Sequence, residues 1–273
     1  MSDLEFALTL ADLADAITMA KYQQADLVVS EKPDLTPVTE ADQEVERVIR
    51  REIAKVFPDD SILGEEFGTS GFETERSSSS TSIVRQWIID PIDGTKNFVR
   101  GVPIWATLIG LAVDDEVVVG VVSAPALGRR WWAAQGQGAW VSTKPEVTPA
   151  SGSPKRLSVS AVADLEHASL AYASLNGWDE LGKLPDFMEL AARCWRTRGY
   201  GDFWSYMLLA EGAVDLAAEP ELEVYDMAAL VPIVTEAGGT FTSTRGKPGP
   251  WDGNAVATNG LLHAEVLRYL GIA

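Results

Sequence analysis

The chain has 273 residues, 46% of them hydrophobic, with Lys+Arg 22 against Asp+Glu 40 and a formal net charge of −18. That size and apolar content suit one large α/β domain or two small ones, and the acidity argues against nucleic acid, whose phosphates are met by Lys and Arg. One cysteine, Cys194, rules out an internal disulfide, the N-terminus lacks the basic and apolar regions of a signal peptide, and the apolar run Val102 to Val113 is too short to span a bilayer, so a cytoplasmic protein with no membrane partner is expected.

Leu4, Ala7, Leu8, Ala11, Ala14 and Ile17 recur at helical spacing and predict a first amphipathic helix. Glu31 to Val38 carries two prolines and reads as a loop. Thr39-Glu-Ala-Asp42 has the form of a capping box and opens a second helix, with Ala41, Val45, Val48, Ile49 and Phe57 inward. Asp42 suits the positive end of that helix on dipole grounds alone. Ser61 to Leu63 is a short strand that stops at Gly64-Glu65-Glu66, and adjacent acids after a strand usually form a solvated turn. The stretch 69–82, with four consecutive serines, reads as a surface loop or lid.

Trp87 to Ile89 starts a buried strand that delivers Asp90-Pro-Ile-Asp-Gly-Thr95. Thr107 to Val113 and Val117 to Ala124 predict a hairpin about Asp114-Asp115, and Arg130 to Ala134 continues the sheet. The Gly-rich segment from Gln135 to Trp140 lacks the spacing of a nucleotide loop and reads as a turn. Trp131, Trp132 and Trp140 read as core or interface. Thr143 to Lys155, rich in Pro, Ser, Thr and Gly, divides the single domain into halves of about 1–145 and 155–273. Strands are expected at Ser158-Val159, Ser169 to Ala173, Trp195 to Arg198, Val214 to Ala218, Thr240 to Thr242 and Ala255 to Thr258. Helices are expected at Asp186 to Arg193, Phe203 to Glu211 and Tyr225 to Ala237, and Asn259 is expected to cap a last helix from Leu261 to Leu270.

Asp90 and Asp93 flank Pro91 and Ile92, so two carboxylates and a carbonyl sit at one strand end, followed by the turn Gly94-Thr95. Either Asp-Pro or Asp-Gly alone would be a turn. Together, behind an apolar strand, they can hold hard cations next to backbone N–H groups that face a phosphate. Other chemistries lack their parts. His167 and His263 lie away from the acids, Cys194 has no partner for zinc, and there is no P-loop. A magnesium-dependent phosphatase is the expectation.

Gly64-Glu65-Glu66, Asp90-Pro-Ile-Asp-Gly-Thr95 and Tyr225-Asp226, in that order, resemble the inositol monophosphatase family over essentially the whole chain. The resemblance implies a layered αβαβα sandwich, lithium sensitivity, a homodimer and two or three Mg2+ ions per site. It implies that Glu65, Asp90, the Ile92 carbonyl, Asp93 and Asp226 bind metal, with Asp42 near a third ion or its water. Glu65 and Thr95 would position the attacking water. The N–H groups of Gly94 and Thr95 would meet the phosphate, and Asp93 and Asp226 would also face the substrate.

The same resemblance implies substrate contacts from Glu219, seven residues before Asp226, and from the segment Arg198-Gly-Tyr-Gly201-Asp202. Inositol-specific members carry small residues after the matching glycine, whereas this chain has Asp202, Phe203 and Trp204. An extra acid suits a cationic substrate, and the pattern is similar to the family's histidinol-phosphate phosphatases. Asp202 alternatively pairs with Arg198 or caps a helix, and Phe203 and Trp204 either stack on an imidazole or pack the helix. Hydrolysis of L-histidinol phosphate, a small phosphomonoester, is expected. Inositol-1-phosphate is the alternative, and a nucleotide or sugar bisphosphate or a non-catalytic metabolite sensor is less favoured, because the metal residues are all present.

Overall fold

The computed structural model describes residues 1–33, 36–71, 83–143 and 154–271. Two helices begin the chain, each with a reciprocal side-chain cap. Ser2 and Glu5 close a capping box on α1 (Asp3–Lys21), and Thr39 and Asp42 do so on α2 (Glu40–Val56). The segment between them, expected as a loop, forms a short antiparallel hairpin of β1 (Val29–Glu31) and β2 (Pro37–Thr39). A proline is tolerated at the first residue of such an edge strand. On α2 the buried face is Ala41, Asp42, Val45, Glu46, Ile49 and Ile53; Val48 is half-buried and Phe57 caps the helix.

The first sheet comprises β3 (Ser61–Gly64), β4 (Gly68–Ser70), β5 (Arg85–Asp93), then, after α3 (Thr95–Val99), β6 (Ala106–Val113), β7 (Glu116–Ala124), β8 (Arg129–Ala134), β9 (Ala139–Ser142) and β10 (Lys155–Arg156). Its order is β10-β9-β8-β7-β6-β5-β3-β4, antiparallel except for the β3–β5 pair. Asp114 and Asp115 both have positive φ, 50° and 71°, as a two-residue hairpin turn requires. The expected lid at 69–82 and the expected boundary at 143–155 lie mostly outside the described residues.

The second sheet contains β11 (Ser169–Tyr172), β12 (Arg196–Gly199), β13 (Leu216–Glu219), β14 (Thr240–Thr242) and β15 (Ala255–Thr258), ordered β12-β11-β13-β15-β14. Between these strands lie α4 (Asn176–Glu180), α5 (Leu184–Arg193), α6 (Asp202–Ala210), α7 (Val224–Met227) and α8 (Leu230–Glu236), with α9 (His263–Leu270) last. Ser158-Val159 forms no strand. Asn259 does accept a hydrogen bond from the Leu262 N–H at 3.3 Å, but the helix begins at His263.

Strand alternation sorts the side chains into layers. Trp87, Ile89, Ile109, Leu111 and Val121 pack against α1 and α2 on one face of the first sheet. Leu108, Val122, Trp131 and Ala133 on its other face share a core with α6, α8, Ala217 and Ala257. Leu170, Leu216 and Val256 turn outward to α5 and α9. The result is the αβαβα sandwich. Arg130, 1% exposed, locks α1 to the sheet through Asp12 and Asp15, each at 2.7 Å. No helix among the described residues is long and apolar enough to cross a membrane.

The helix expected at Tyr225 to Ala237 is broken into α7 and α8. Pro232 has no N–H to give the carbonyl of Ala228, and its ring crowds that carbonyl. At the break, Ala228 and Ala229 lie flat on the cross-strand pair Gly110 and Gly120; a Cβ at Gly120 would overlap the Ala229 carbonyl. This close seat brings the first turn of α7, with Asp226, onto β5.

Candidate active site

The register of β5 against β6 shifts between Asp90 and Asp93. Such a bulge re-aims side chains at a strand end. Thr107 pins it by donating its hydroxyl to the Pro91 carbonyl at 2.8 Å. Gly94 then takes φ 84°, and its carbonyl accepts from Asn97 and Phe98 to start α3. Asp90, Asp93 and Asp226 come together, each offering a carboxylate oxygen within 4.8 Å of the others.

Two of the three are held from outside the cluster. Asp93 Oδ2 accepts from the Phe203 N–H at 2.7 Å, and Asp226 Oδ2 from the Glu223 N–H at 2.8 Å. Asp90 Oδ1 is buried and has no hydrogen-bond partner among the described residues. Burial, then Glu65, Asp93 and Asp226, pushes the Asp90 carboxyl well above its usual range. Burial, then Asp202 and Asp226, does the same to Asp93 against the opposing Phe203 N–H. Asp226 is pushed up to about 7, chiefly by burial. A buried set of oxygens with an orphaned acceptor and mutual repulsion fits a hard divalent cation, which supplies the missing positive charge.

Glu65 follows β3 on the other side of β5. Its Oε1 pairs with Lys32 at 2.8 Å, and Lys32 also pairs with Glu66 at 2.8 Å. Burial lifts Glu66 to about 7. The turn is not merely solvated, because the buried Glu46 carboxylate of α2 accepts from the Glu66 and Phe67 N–H groups at 2.7 and 3.2 Å. Asp42 serves two ends. Its Oδ2 caps α2 by accepting from the Thr39 N–H at 2.8 Å, and its Oδ1 lies 3.3 Å from the Thr95 hydroxyl. Burial moves Asp42 up to about 6. The Thr95 hydroxyl donates to the Ile92 carbonyl at 2.9 Å.

A cleft of about 680 Å³ opens over this cluster, lined in part by Glu65, Gly94, Thr95, Asp202, Tyr225 and Asp226. Asp202 begins α6 at a positive φ of 49°, which is uncommon outside glycine. Its partner is not Arg198 but Asn97, whose amide donates to Asp202 Oδ2 at 3.2 Å and to the Ile104 carbonyl at 2.9 Å. Burial raises the Asp202 carboxyl, with Lys96 opposing. Glu219 extends from β13 on the same side as Ala217, 7% exposed, with Oε1 lacking a hydrogen-bond partner among the described residues; burial, then Asp202 and Asp226, lifts it to about 8.

The sequence model of the inositol monophosphatase family matches residues 2–271. The chain belongs to the inositol monophosphatase family. It is 54% identical over 274 residues to a histidinol-phosphatase of Streptomyces coelicolor, covering 99% of this chain and 97% of that protein. It is also 54% identical to a histidinol-phosphatase of Mycobacterium tuberculosis, covering 98% and 97%. The Thermotoga maritima IMPase superposes with a TM-score of 0.82 at 31% identity, over 99% of this chain and 97% of the other. The inositol monophosphatase family is metal-dependent, and Asp90, Asp93 and Asp226 form the acidic cluster suited to it here.

Within this family fold, several substrate-side expectations come out differently. Arg198 is exposed on β12, donates to the Thr197 carbonyl at 2.7 Å and does not line the cleft. Phe203 is buried against Trp131, ring centroids 6.1 Å apart, and Trp204 packs on Tyr200 at 5.5 Å. Neither lines the cleft: after the turn at Gly201 and Asp202, Phe203 faces the core and the half-buried Trp204 packs against its edge. The cleft's aromatic lining residue is Tyr225. Burial, then Asp226 and Glu65, raises its phenol, so the ring stays neutral. Lys32 and Asn97 are not among the expected site residues, and Tyr225 enters only as part of the Tyr225-Asp226 motif. Only Tyr225 and Asn97 carried a signal, through their places beside Asp226 and Thr95.

Proposed function

We propose that this protein hydrolyses L-histidinol phosphate to L-histidinol and phosphate, a step of histidine biosynthesis. The observation that carries the substrate choice is the half-buried Asp202 carboxylate on the wall of the cleft, clamped by Asn97. A charged acid there favours a leaving group that bears an ammonium over a neutral polyol. The names of the two 54% identical relatives support the same reading.

Asp90, Asp93, Asp226 and Glu65, with the Ile92 carbonyl, would hold two or three Mg2+ ions, and Asp42 would serve the water shell of the third. When bound, the ions offset the charge of the phosphate and acidify water at the site. The Thr95 hydroxyl donates its one proton to the Ile92 carbonyl or to Asp42 Oδ1, and either way its oxygen keeps lone pairs to accept from the attacking water. Glu65 orients that water from the opposite side. Gly94 and Thr95 face the phosphate with their N–H groups. Asp202 pairs with the substrate's ammonium, and Gly201 gives α6 the turn that puts Asp202 there. Glu219 reinforces the negative field behind it. The P–O bond to the leaving group breaks as the water oxygen bonds to phosphorus; the water gives up one proton and the leaving oxygen takes one up, so histidinol departs as the alcohol.

The deciding experiment measures kcat/KM with Mg2+ for histidinol phosphate and inositol-1-phosphate. A clear preference for histidinol phosphate is expected; preference for the inositol ester overturns the assignment of Asp202. Absence of turnover on any small monoester removes the enzyme reading altogether. The enzyme is further read as a lithium-sensitive cytoplasmic homodimer, tested by Li+ inhibition, cell fractionation and solution mass.

A further inference from the structure

We propose that Tyr225 is the residue that reads the leaving group's ring, its aromatic face packing against an imidazole while the phosphate lies over the acidic cluster. The inference rests on the histidinol phosphate reading and assigns a part of that substrate which Asp202 does not explain. An imidazole has apolar faces and a polar edge, so a site that selects it needs a flat apolar surface as well as charge.

Among the described lining residues of the cleft, Tyr225 is the one aromatic, and Pro37 and Leu222 are the other apolar side chains; the rest are glycine, polar or charged. The aromatic residues expected for this purpose do not line the cleft: Phe203 is buried in the core, and the half-buried Trp204 packs against that core and Tyr200. Tyr225 is half-buried. It packs against the cluster of Ile88, Ala112, Val117 and Ala228, so the ring is braced from behind. It stands in the first turn of α7, one residue before Asp226, and α7 is itself fixed by the seat of Ala228 on Gly110. A ring at this position is therefore held at a set distance from the phosphate-binding end. Leu222 extends the apolar surface, anchored by its N–H to the Gly253 carbonyl at 2.9 Å.

The test compares the wild-type enzyme with Tyr225→Leu, which keeps an apolar side chain and loses the ring, and Tyr225→Phe, which keeps the ring. Substrates are histidinol phosphate and glycerol 2-phosphate, with thermal unfolding as the check on folding. For Tyr225→Leu, KM for histidinol phosphate is expected to rise about tenfold, with kcat much less affected. The ratio of kcat/KM on histidinol phosphate to that on glycerol 2-phosphate should fall by a similar factor. For Tyr225→Phe the ratio should stay within about threefold of wild type. Equal losses on both substrates in Tyr225→Leu overturn the inference and leave Tyr225 a structural residue. Inhibition of the wild type gives a second measure that no folding defect touches: L-histidinol should inhibit more strongly than L-alaninol, which has the amino alcohol but no ring. Equal inhibition by the two overturns the inference. A wild-type enzyme that hydrolyses glycerol 2-phosphate and ignores histidinol phosphate overturns the substrate reading itself, a result distinct from either of these.

Discussion

The carboxylate of Glu46 occupies the place where a side chain on residue 64 would begin: a Cβ built on Gly64 would fall inside it. Glycine at this point is thus a packing requirement, not a matter of backbone conformation. It lets a fully buried acid on α2 reach under the strand end and grip the turn that carries Glu65. Gly64→Ala is expected to push Glu46 aside at a cost of about 1–3 kcal/mol and to release the turn. Both the melting temperature and kcat/KM should drop. A variant with wild-type activity would show that Glu65 does not depend on Glu46.

The three-carboxylate cluster should behave as a cation site when one member loses its charge. Asp226→Asn keeps an oxygen for the Glu223 N–H and removes the charge. Its Mg2+ affinity, read by calorimetry, should fall by more than the roughly 10–100-fold that loss of an outer-shell partner costs. Asp93→Asn should lose most activity in the same way. Unchanged Mg2+ binding in either variant contradicts the metal assignment.

Asp202→Asn isolates charge from geometry. Asn tolerates a positive φ and can still accept from Asn97. Loss of a charge-assisted bond to an ammonium removes about 1.5–3 kcal/mol, so KM for histidinol phosphate should rise roughly ten- to hundredfold, while Mg2+ binding is kept. An unchanged KM makes Asp202 structural.

The metal-free protein should lose stability as pH rises. Asp226 is lifted to about 7 and Glu219 to about 8, with Asp90 and Asp93 also raised, so the folded state holds protons that the unfolded state has released. For an acid raised on folding, the penalty is absent below the unfolded pKa, grows above it and is complete above the folded pKa. The melting temperature without metal should therefore decline between about pH 5 and 8. Saturating Mg2+ should flatten that decline, and its binding near pH 7 should release protons. A metal-free melting temperature that climbs over this range would contradict the clustering of these acids.

Much of this was legible in the sequence where one chemistry acted locally. The apolar run before Asp90, the capping box at Thr39 and Asp42 and the Asp114-Asp115 turn each follow from residues a few positions apart. Pro232 is legible too, since a proline four residues after Ala228 disfavours a continuous helix. What could not be read were meetings across long separations. Nothing near Lys32 signals that it pairs with Glu65, or that Asn97 holds Asp202 rather than leaving it to Arg198. The facing of Phe203 and Trp204 hinged on one unusual backbone angle at Asp202, and alternation within β13 turned Glu219 inward while Tyr225 took the cleft wall.

The hydrogen bond from the Phe203 N–H to Asp93 spans 110 positions of the chain. A ribosome-bound chain that has delivered only the first sheet carries Asp90 and Asp93 with neither that donor nor Asp226. Its cation-binding capacity is thus postponed until the second sheet and α7 have emerged and docked. Synthesis proceeds at about 5–20 residues per second, so the delay amounts to several seconds. On the proposed metal assignment, loading with metal would be a closing event in the making of this protein, and a chain truncated before residue 226 would be inert however well its first sheet folds.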